Sequence, residues 1–272
     1  SGSDGAMDIK VNTMNDVYIT GYTTSVDLPI SNKFVTTSHD SPQSDILVAC
    51  IDITTWKMKY CTTVGGSYWD VGYGLCLDAL QNVYITGYTF SHDFPVTADA
   101  FDSSYNGEED VCIVRLTPDT NHMIFGTFLG GHSFEVGKSI ACDWKGDVFV
   151  AGYTSSSSFP TSPTSIQRSL NGDQDGFIAK ISGSGSQLYI STFIGGSSWD
   201  EILDLSLDIW GNVYITGNTL SDDFPITIQA DHSVYQGQQD VFYMHVNPSL
   251  QCIIYSSYFG GEGYDVAGCI GI

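Results

Sequence analysis

The sequence predicts an all-β fold built from four tandem copies of one unit, and two observations indicate it. The segment DVYITGYT at Asp16 returns in related form at Asn82, Asp147 and Asn212, with steps of 66, 65 and 65 residues. Each copy is rich in β-branched and aromatic residues and is broken by glycine turns, a composition typical of strands. Self-similarity at a fixed period is the mark of a repeat architecture. The predicted repeats cover about 8–69, 70–134, 135–199 and 200–264.

The second copy shows how each unit divides into four strands. Strand A is predicted at 71–78, strand B at 82–89, strand C at 110–117 and strand D at 123–130. The short A–B turn makes that pair antiparallel. Glycines early in strand A suit a crowded place near a central axis, where backbones approach closely. Four-stranded antiparallel units repeated around a channel define a β-propeller, which is the predicted architecture.

Other residues recur in register with these strands. An aspartate opens each strand C, a Gly-Gly pair follows each strand D, and an aromatic residue with an acid precedes each strand A. The aspartates are Asp45, Asp110, Asp175 and Asp240, and the aromatic–acid pairs are Trp69-Asp70, Phe134-Glu135, Trp199-Asp200 and Tyr264-Asp265. Because every unit requires them, we expect the acids to hold turns and the aromatics to pack between units.

The combined pattern, GNVYITGYT with a following DFP and a closing Gly-Gly, resembles the bacterial SBBP propeller repeat over essentially the whole chain. The resemblance implies a propeller fold and an extracellular or cell-surface setting. It implies no enzyme activity and no agreed ligand, so no catalytic residue is carried over. The chain departs from that pattern in having four repeats and seven cysteines.

The cysteine count is odd and the cysteines do not occupy equivalent places in the repeats. We therefore expect no intrachain disulfide, and the cysteines are interpreted mainly as small buried hydrophobic residues. Unpaired thiols are typical of a reducing compartment, so a cytosolic setting stays open.

The two ends of the sequence offer the same strand. Residues 1–7 resemble a vector remnant, and the predicted domain covers 8–272, with a closing strand at 265–272. Both Asp8–Val11 and 265–272 align with strand A. Three alternatives follow: the chain is cut from a longer propeller, its last strand closes a four-bladed ring, or a homodimer completes a ring of eight. If a single chain closes the ring, we expect 265–272 to take the inner place of the first blade.

The net charge of −22 excludes some classes of partner. A polyanion repels phosphate backbones and anionic lipid, so neither nucleic acid nor membrane is an expected partner. The chain also has no run of 18 apolar residues, so membrane insertion by a helix is not expected. Basic proteins, cations and neutral sugars remain as possible classes of binding partner.

Strand order places the B–C loops and the Gly-Gly turns on one side, which we call the loop face. It carries 21 of the 31 acidic residues and two of the nine basic ones, for a net charge of −19. Its segments are 24–45, 65–70, 90–110, 130–135, 155–175, 195–201, 220–240 and 260–265.

Acids that do not recur in every unit are the best candidates for binding. They are Asp93, Asp99, Asp102, Glu108 and Glu109 in the second repeat and Asp222, Asp223 and Asp231 in the fourth. Oxygen-rich loops suit calcium, with Asp99 and Asp102 as candidate ligands, although no cofactor is required.

The sequence therefore favours a non-catalytic binding or scaffold module that recognises a protein through this acidic face, with or without a cation. Two alternatives remain: a carbohydrate-active enzyme or lectin that uses the loop-face carboxylates and aromatics, and a purely structural repeat of a larger surface protein.

Overall fold

The computed structural model describes residues 2–30, 32–35 and 43–272 and consists of strands and turns, with no helix in those ranges. Each repeat forms one sheet in which the strands predicted as A to D are antiparallel neighbours in chain order. This confirms the predicted all-β class and the four-sheet division. The strands of the second, third and fourth sheets are β6 (Asp70–Leu77), β7 (Val83–Thr89), β8 (Asp110–Leu116), β9 (Met123–Leu129), β10 (Glu135–Cys142), β11 (Val148–Thr154), β12 (Asp175–Ile181), β13 (Leu188–Ile194), β14 (Asp200–Leu207), β15 (Val213–Thr219), β16 (Asp240–Val246) and β17 (Ile253–Phe259).

The first sheet has an additional edge strand. Its members are β1 (Asp4–Val11), β2 (Asp16–Thr23), β3 (Asn32–Val35), β4 (Asp45–Asp52) and β5 (Lys57–Gly65). Strand β3 comes from the B–C loop and pairs in parallel with β5. Residues 31 and 36–42 of that loop, including the loop-face acid Asp40, lie outside the described residues.

The A strands lie innermost, because β1 contacts β6, β6 contacts β10, and β10 contacts β14. Between consecutive sheets lie three hydrophobic cores, one for each sheet–sheet interface. Leu75, for example, is fully buried against Ile46 and Val48 of the preceding sheet. This packing is the arrangement expected of consecutive propeller blades.

Each A strand carries a β-bulge after its third residue. The register shifts between Gly72 and Gly74 in β6 and between Gly137 and Ser139 in β10. A bulge redirects a side chain that regular pleating would place elsewhere. In these strands the redirected residues are Met7, Tyr73, Lys138 and Leu203.

The B–C loops of the second, third and fourth sheets lie on the same face as the Gly-Gly turns, as the strand order predicts. Ser67, beside the first Gly-Gly pair, donates its backbone N–H to the carboxylate of Asp93 in the B–C loop at 2.8 Å. In the next sheet, the N–H of His132 donates to Ser156 Oγ at 2.8 Å.

The ends of the chain differ from the prediction. Strand β1 begins at Asp4, four residues before the predicted start of the domain, and pairs with β2 in the inner place of the first sheet. Residues 265–272 form no strand and lie beside the fourth sheet. Strand β1 fills that inner place here, and Asp4 accepts bonds from Thr23 and Ser25 of the same sheet. The expectation that 265–272 takes this place when a single chain closes the ring stays a prediction.

All seven cysteines lie within the described residues, and none of them forms a disulfide in this structure. Cys50, Cys61, Cys76 and Cys112 are buried as expected, whereas Cys252 and Cys269 are exposed.

Candidate functional site

The acid that opens each A strand ties the preceding Gly-Gly turn to the end of strand B. Glu135 is fully buried; the N–H of Gly131 donates to Oε2 at 3.0 Å and the hydroxyl of Thr154 donates to Oε1 at 2.9 Å. Asp70 accepts the N–H of Gly66 at 2.8 Å and the hydroxyl of Ser91 at 3.0 Å. These contacts agree with the structural role predicted for the recurring acids.

The aspartate that opens strand C holds the last turn of the B–C loop. The N–H groups of Asn106, Asn171 and Gln236 donate to Asp110, Asp175 and Asp240 at 2.9, 3.0 and 2.8 Å. A carboxylate that accepts backbone N–H groups at a turn stabilises that turn.

The two kinds of recurring acid approach one another at the first glycine of each Gly-Gly pair. A Cβ at Gly130 would lie 2.4 Å from Asp110 Oδ1 and 2.8 Å from Glu135 Oε2. Burial raises the pKa of Asp110 to about 6 and that of Glu135 to about 7, and the charge of Asp110 contributes to the second shift. Burial likewise raises the pKa of Asp70 to about 7. These buried carboxyl groups therefore titrate near neutral pH.

Two of the candidate binding acids secure turns. Asp93 accepts the N–H of Ser67 and its hydroxyl, the latter at 2.6 Å. Asp223 accepts the N–H of Ser197 at 2.7 Å and its hydroxyl at 3.0 Å. Asp93 and Asp223 occupy the same place in the second and fourth repeats. They recur for a structural reason, because both secure a Gly-Gly turn to the following loop.

The remaining predicted residues do not converge on one point. Asp102 accepts the N–H of Ser104 at 2.8 Å and the side-chain N–H of Asn106 at 2.7 Å, so its carboxylate stabilises its own loop. The other members of the set, apart from Glu109, are exposed: Asp99, Glu108, Asp222 and Asp231. Within the described ranges, no group of three or more His, Cys, Asp or Glu side chains is placed to hold a metal ion.

Glu109 is the exception, because it joins a group of side chains near the inner edge of the loop face. We call Tyr73, Glu109, Lys138, Tyr153 and Glu201 the inner cluster. Lys138 lies at its centre, with Nζ 3.8 Å from the centroid of the Tyr73 ring and 5.6 Å from that of Tyr153. A cation over aromatic faces is attracted by the ring quadrupoles.

Opposing charges surround this lysine. Burial lowers the pKa of Lys138, and the nearby carboxylates of Glu201 and Glu109 oppose that shift. Burial raises the pKa of Glu109 to about 7, with repulsion from Glu135 adding to the shift and Lys138 opposing it. Asn218 donates its side-chain N–H to Glu201 at 2.9 Å, which fixes that carboxylate in place.

More aromatic rings extend the cluster to either side. Tyr88 lies 5.8 Å from Tyr73, and Trp199 lies 6.4 Å from Tyr153, between ring centroids. Trp69, Tyr73 and Tyr88 line a depression of about 370 Å³ at the junction of the first two sheets. Trp69 is 56% exposed and Trp199 is 40% exposed, so the expected packing between units leaves much of each indole open to solvent.

Lys138, Tyr73 and Glu201 were not singled out from the sequence. Lys138 and Tyr73 stand at the bulge of strand A, where the four repeats carry Met7, Tyr73, Lys138 and Leu203. The only sequence signal for this cluster was that the four repeats carry different residue types at this one position. The direction in which the side chain at this position points depends on the β-bulge. The alternation of apolar and polar residues in the sequence does not reveal a bulge.

Comparison with protein-family models and with curated proteins gives no match to this chain. Among the described residues, no helix has the length and apolar character needed to cross a bilayer.

Proposed function

We propose that the four sheets are blades of a β-propeller and that the chain is a non-catalytic binding module whose loop face recognises a basic protein partner. The observation that carries the proposal is the inner cluster, where two carboxylates and two tyrosine rings surround an ammonium group. The charge distribution supports the choice of a basic partner.

Acidic and basic side chains form ion pairs on the face opposite the loops. On the face opposite the loops, Lys59 contacts Asp16 at 2.5 Å, and Arg115 contacts Asp78 at 2.7 Å. Lys180 contacts Asp143 there at 3.1 Å. The segments that the sequence assigns to the loop face carry a net charge of −19. A field of one sign steers an oppositely charged partner and raises its association rate.

The inner cluster supplies an anchor within that field. Lys138 shows that this geometry accommodates a cation over Tyr73 with Glu109 and Glu201 nearby. An arginine or lysine of a partner would find the same kind of environment at the neighbouring face of Tyr88, beside the depression lined by Trp69. Aromatic residues that combine apolar area with a polar tip are enriched at interface hot spots.

The experiment is a calorimetric titration with a synthetic oligolysine peptide at two salt concentrations. Neutralising two exposed loop-face acids, Asp99→Asn with Asp231→Asn, should weaken binding several-fold and reduce its salt dependence. The matched control, Asp52→Asn with Asp119→Asn, makes the same change in net charge at turns on the opposite face. Equal losses in the two double variants would contradict recognition by the loop face.

The same titration with millimolar Ca²⁺ tests whether a cation assists recognition. Calcium that orders the loops would tighten peptide binding, whereas calcium that only neutralises carboxylates would weaken it. Weaker binding would remove the cation from the proposal.

A second candidate, carbohydrate recognition, is favoured by the half-exposed indoles of Trp69 and Trp199. Flat aromatic faces suit the apolar face of a sugar, and carboxylates suit its hydroxyl groups. Titration of tryptophan fluorescence with neutral oligosaccharides tests it. A saturable change that Trp69→Ala abolishes would support this candidate, and an unchanged spectrum at millimolar sugar would remove it.

A further inference from the structure

Strand C carries a nitrogen-bearing side chain at the same place in three repeats, and each lies against the aromatic ring opposite it on strand B. The Cζ atom of Arg115 lies 4.8 Å from the centroid of the Tyr84 ring. The Nζ atom of Lys180 lies 4.7 Å from the centroid of the Phe149 ring. A cation over an aromatic face is attracted by the ring quadrupole. The three cross-strand pairs are Tyr84 with Arg115, Phe149 with Lys180, and Tyr214 with His245.

The first repeat departs from this pattern. Its residue at this place is Cys50, which lies opposite Tyr18 on strand B. A cysteine side chain is too short to cover the ring as the longer side chains do. Both residues line a cleft of about 600 Å³ between the first and second sheets. The A–B and C–D turns also line the cleft, so it opens on the face opposite the loops.

Arg115 fills the counterpart of this cleft between the second and third sheets. Its Nη2 atom donates to Asp78 at 2.7 Å, and its Nη1 atom donates to the carbonyl of Gly183 at 2.7 Å. Gly183 follows strand C of the third sheet, and its counterpart in the second sheet, Pro118, lines the cleft. The cleft is therefore the space that a guanidinium group occupies one sheet–sheet interface further along the chain.

The cleft contains polar groups that a guanidinium group could contact. The carboxylate of Asp16 is buried; its Oδ1 atom contacts Lys59 at 2.5 Å, and its Oδ2 atom accepts a bond from the side-chain N–H of Asn12 at 3.3 Å. The hydroxyl of Tyr60 is buried and forms no regular hydrogen bond with the described residues. The counterpart of Tyr60 in the second repeat is Phe125, which has no hydroxyl. Buried hydroxyls normally have a partner, so Tyr60 Oη is available to accept a bond from a ligand.

We propose that this cleft binds a guanidinium group, which stacks on Tyr18, pairs with Asp16 and donates a hydrogen bond to Tyr60 Oη. Lys59 already supplies an ammonium group to Asp16. A guanidinium group is planar and has several donors, so it can lie flat on an aromatic ring and reach more than one acceptor, as Arg115 does. An ammonium group is a compact point charge and fits this arrangement less well.

The mouth of the cleft suits a short alkyl chain on the guanidinium group. Met14 and Leu80 line the cleft there, and both are exposed apolar residues. Apolar side chains around a few placed polar groups are typical of small-ligand sites. Because the cleft opens on the opposite face, its occupancy is independent of what the loop face binds.

The experiment follows the backbone amides by NMR during a titration with butylguanidinium. We expect saturable shifts around Tyr18, Cys50 and Tyr60, because these residues line the cleft. Butylurea has nearly the same shape but no charge, so it should bind at least about tenfold more weakly. Equal binding of the two compounds, or shifts confined to the loop face, would overturn the proposal.

Cys50→Arg tests whether the cleft is the place of binding. This variant supplies its own guanidinium group, as Arg115 does in the next sheet, and it should no longer bind butylguanidinium. Cys252→Arg is the matched control, because it makes the same change at an exposed cysteine in the fourth repeat and should bind as wild type does. Far-UV circular dichroism checks that both variants remain folded. Wild-type binding by a folded Cys50→Arg would show that the ligand lies elsewhere.

Tyr60→Phe is a milder variant that keeps the test sharp if Cys50→Arg does not fold. It introduces the residue that the second repeat carries at this place. The change removes the buried hydroxyl without filling the cleft, so butylguanidinium should bind several-fold more weakly. Tyr189→Phe makes the same change at a half-exposed tyrosine of the third repeat and should have no effect. Equal binding by these two variants would contradict the proposed contact with Tyr60.

A blocked Gly-Arg-Gly tripeptide distinguishes the two sources of a guanidinium group. Tighter binding of the tripeptide than of butylguanidinium would assign the cleft to an arginine side chain of a protein. Weaker binding of the tripeptide would assign it to a small molecule. The absence of saturable shifts with both compounds would overturn the proposal.

Discussion

The substitution Glu135→Gln should change how the free energy of unfolding depends on pH. Glu135 is fully buried, and burial raises its pKa from 4.5 to about 7. Because the folded state holds this proton more tightly than the unfolded state, the contribution of Glu135 to stability is complete below pH 4.5 and disappears as the pH rises through 7. One pKa unit corresponds to about 1.4 kcal/mol, so the loss between pH 5 and 8 is about 2–3 kcal/mol.

Glutamine has no charge to lose over this range. Its amide cannot accept bonds at both ends, so either Gly131 or Thr154 loses its acceptor, at a cost of about 1–3 kcal/mol that is independent of pH. Relative to wild type, the variant should therefore gain about 2–3 kcal/mol between pH 5 and pH 8.

The assay is urea unfolding at pH 5, 6, 7 and 8, with Glu108→Gln as an exposed control on the same face. The difference between wild type and Glu135→Gln should shift with pH in the stated direction, whereas the control should follow wild type. A constant difference across the four pH values would refute the reasoning that Glu135 is protonated by burial.

Three further predictions concern packing and thiols. Leu75→Ala should cost about 2–5 kcal/mol in urea unfolding because the fully buried side chain leaves a cavity, whereas Leu80→Ala, at 75% exposure, should change stability by about 0.5 kcal/mol or less. Equal costs would contradict the inter-sheet core. Gly130→Ala should cost about 1–3 kcal/mol because its Cβ would meet Asp110 Oδ1 at 2.4 Å. Gly261→Ala has open space around its Cβ and should be neutral; the reverse order in thermal melting would show that the carboxylates do not meet at Gly130. Titration under denaturing, non-reducing conditions should find seven thiols per chain, and three or fewer would contradict the lack of disulfides.

The repeat period was sufficient to place the sheets. The recurring VYITGYT segments, Gly-Gly pairs and aspartates locate each strand of the second sheet to within one residue, because strand and turn residues alternate at fixed offsets. The shared face of loops and Gly-Gly turns follows from antiparallel strand order alone. A structural role for Asp110 and Glu135 was also predictable, since every repeat has such an acid.

The site could be predicted only in part. Glu109 was a candidate because it is acidic and does not recur, but the same criterion selected Asp93 and Asp223, which hold turns. Lys138 depends on a bulge and on contacts across three sheets, which local sequence does not encode. The start of β1 was placed too late, because the strand extends to Asp4, within a segment interpreted as a vector remnant.

Hydrogen exchange of the chain with and without oligolysine tests the central claim most directly, because it reports which face is covered. Recognition by the loop face predicts slower exchange in the B–C loops at 90–110 and 220–240 and around Lys138. The A–B and C–D turns on the opposite face should exchange as in the free protein. Protection confined to those turns, or unchanged exchange under saturating peptide, would contradict the account.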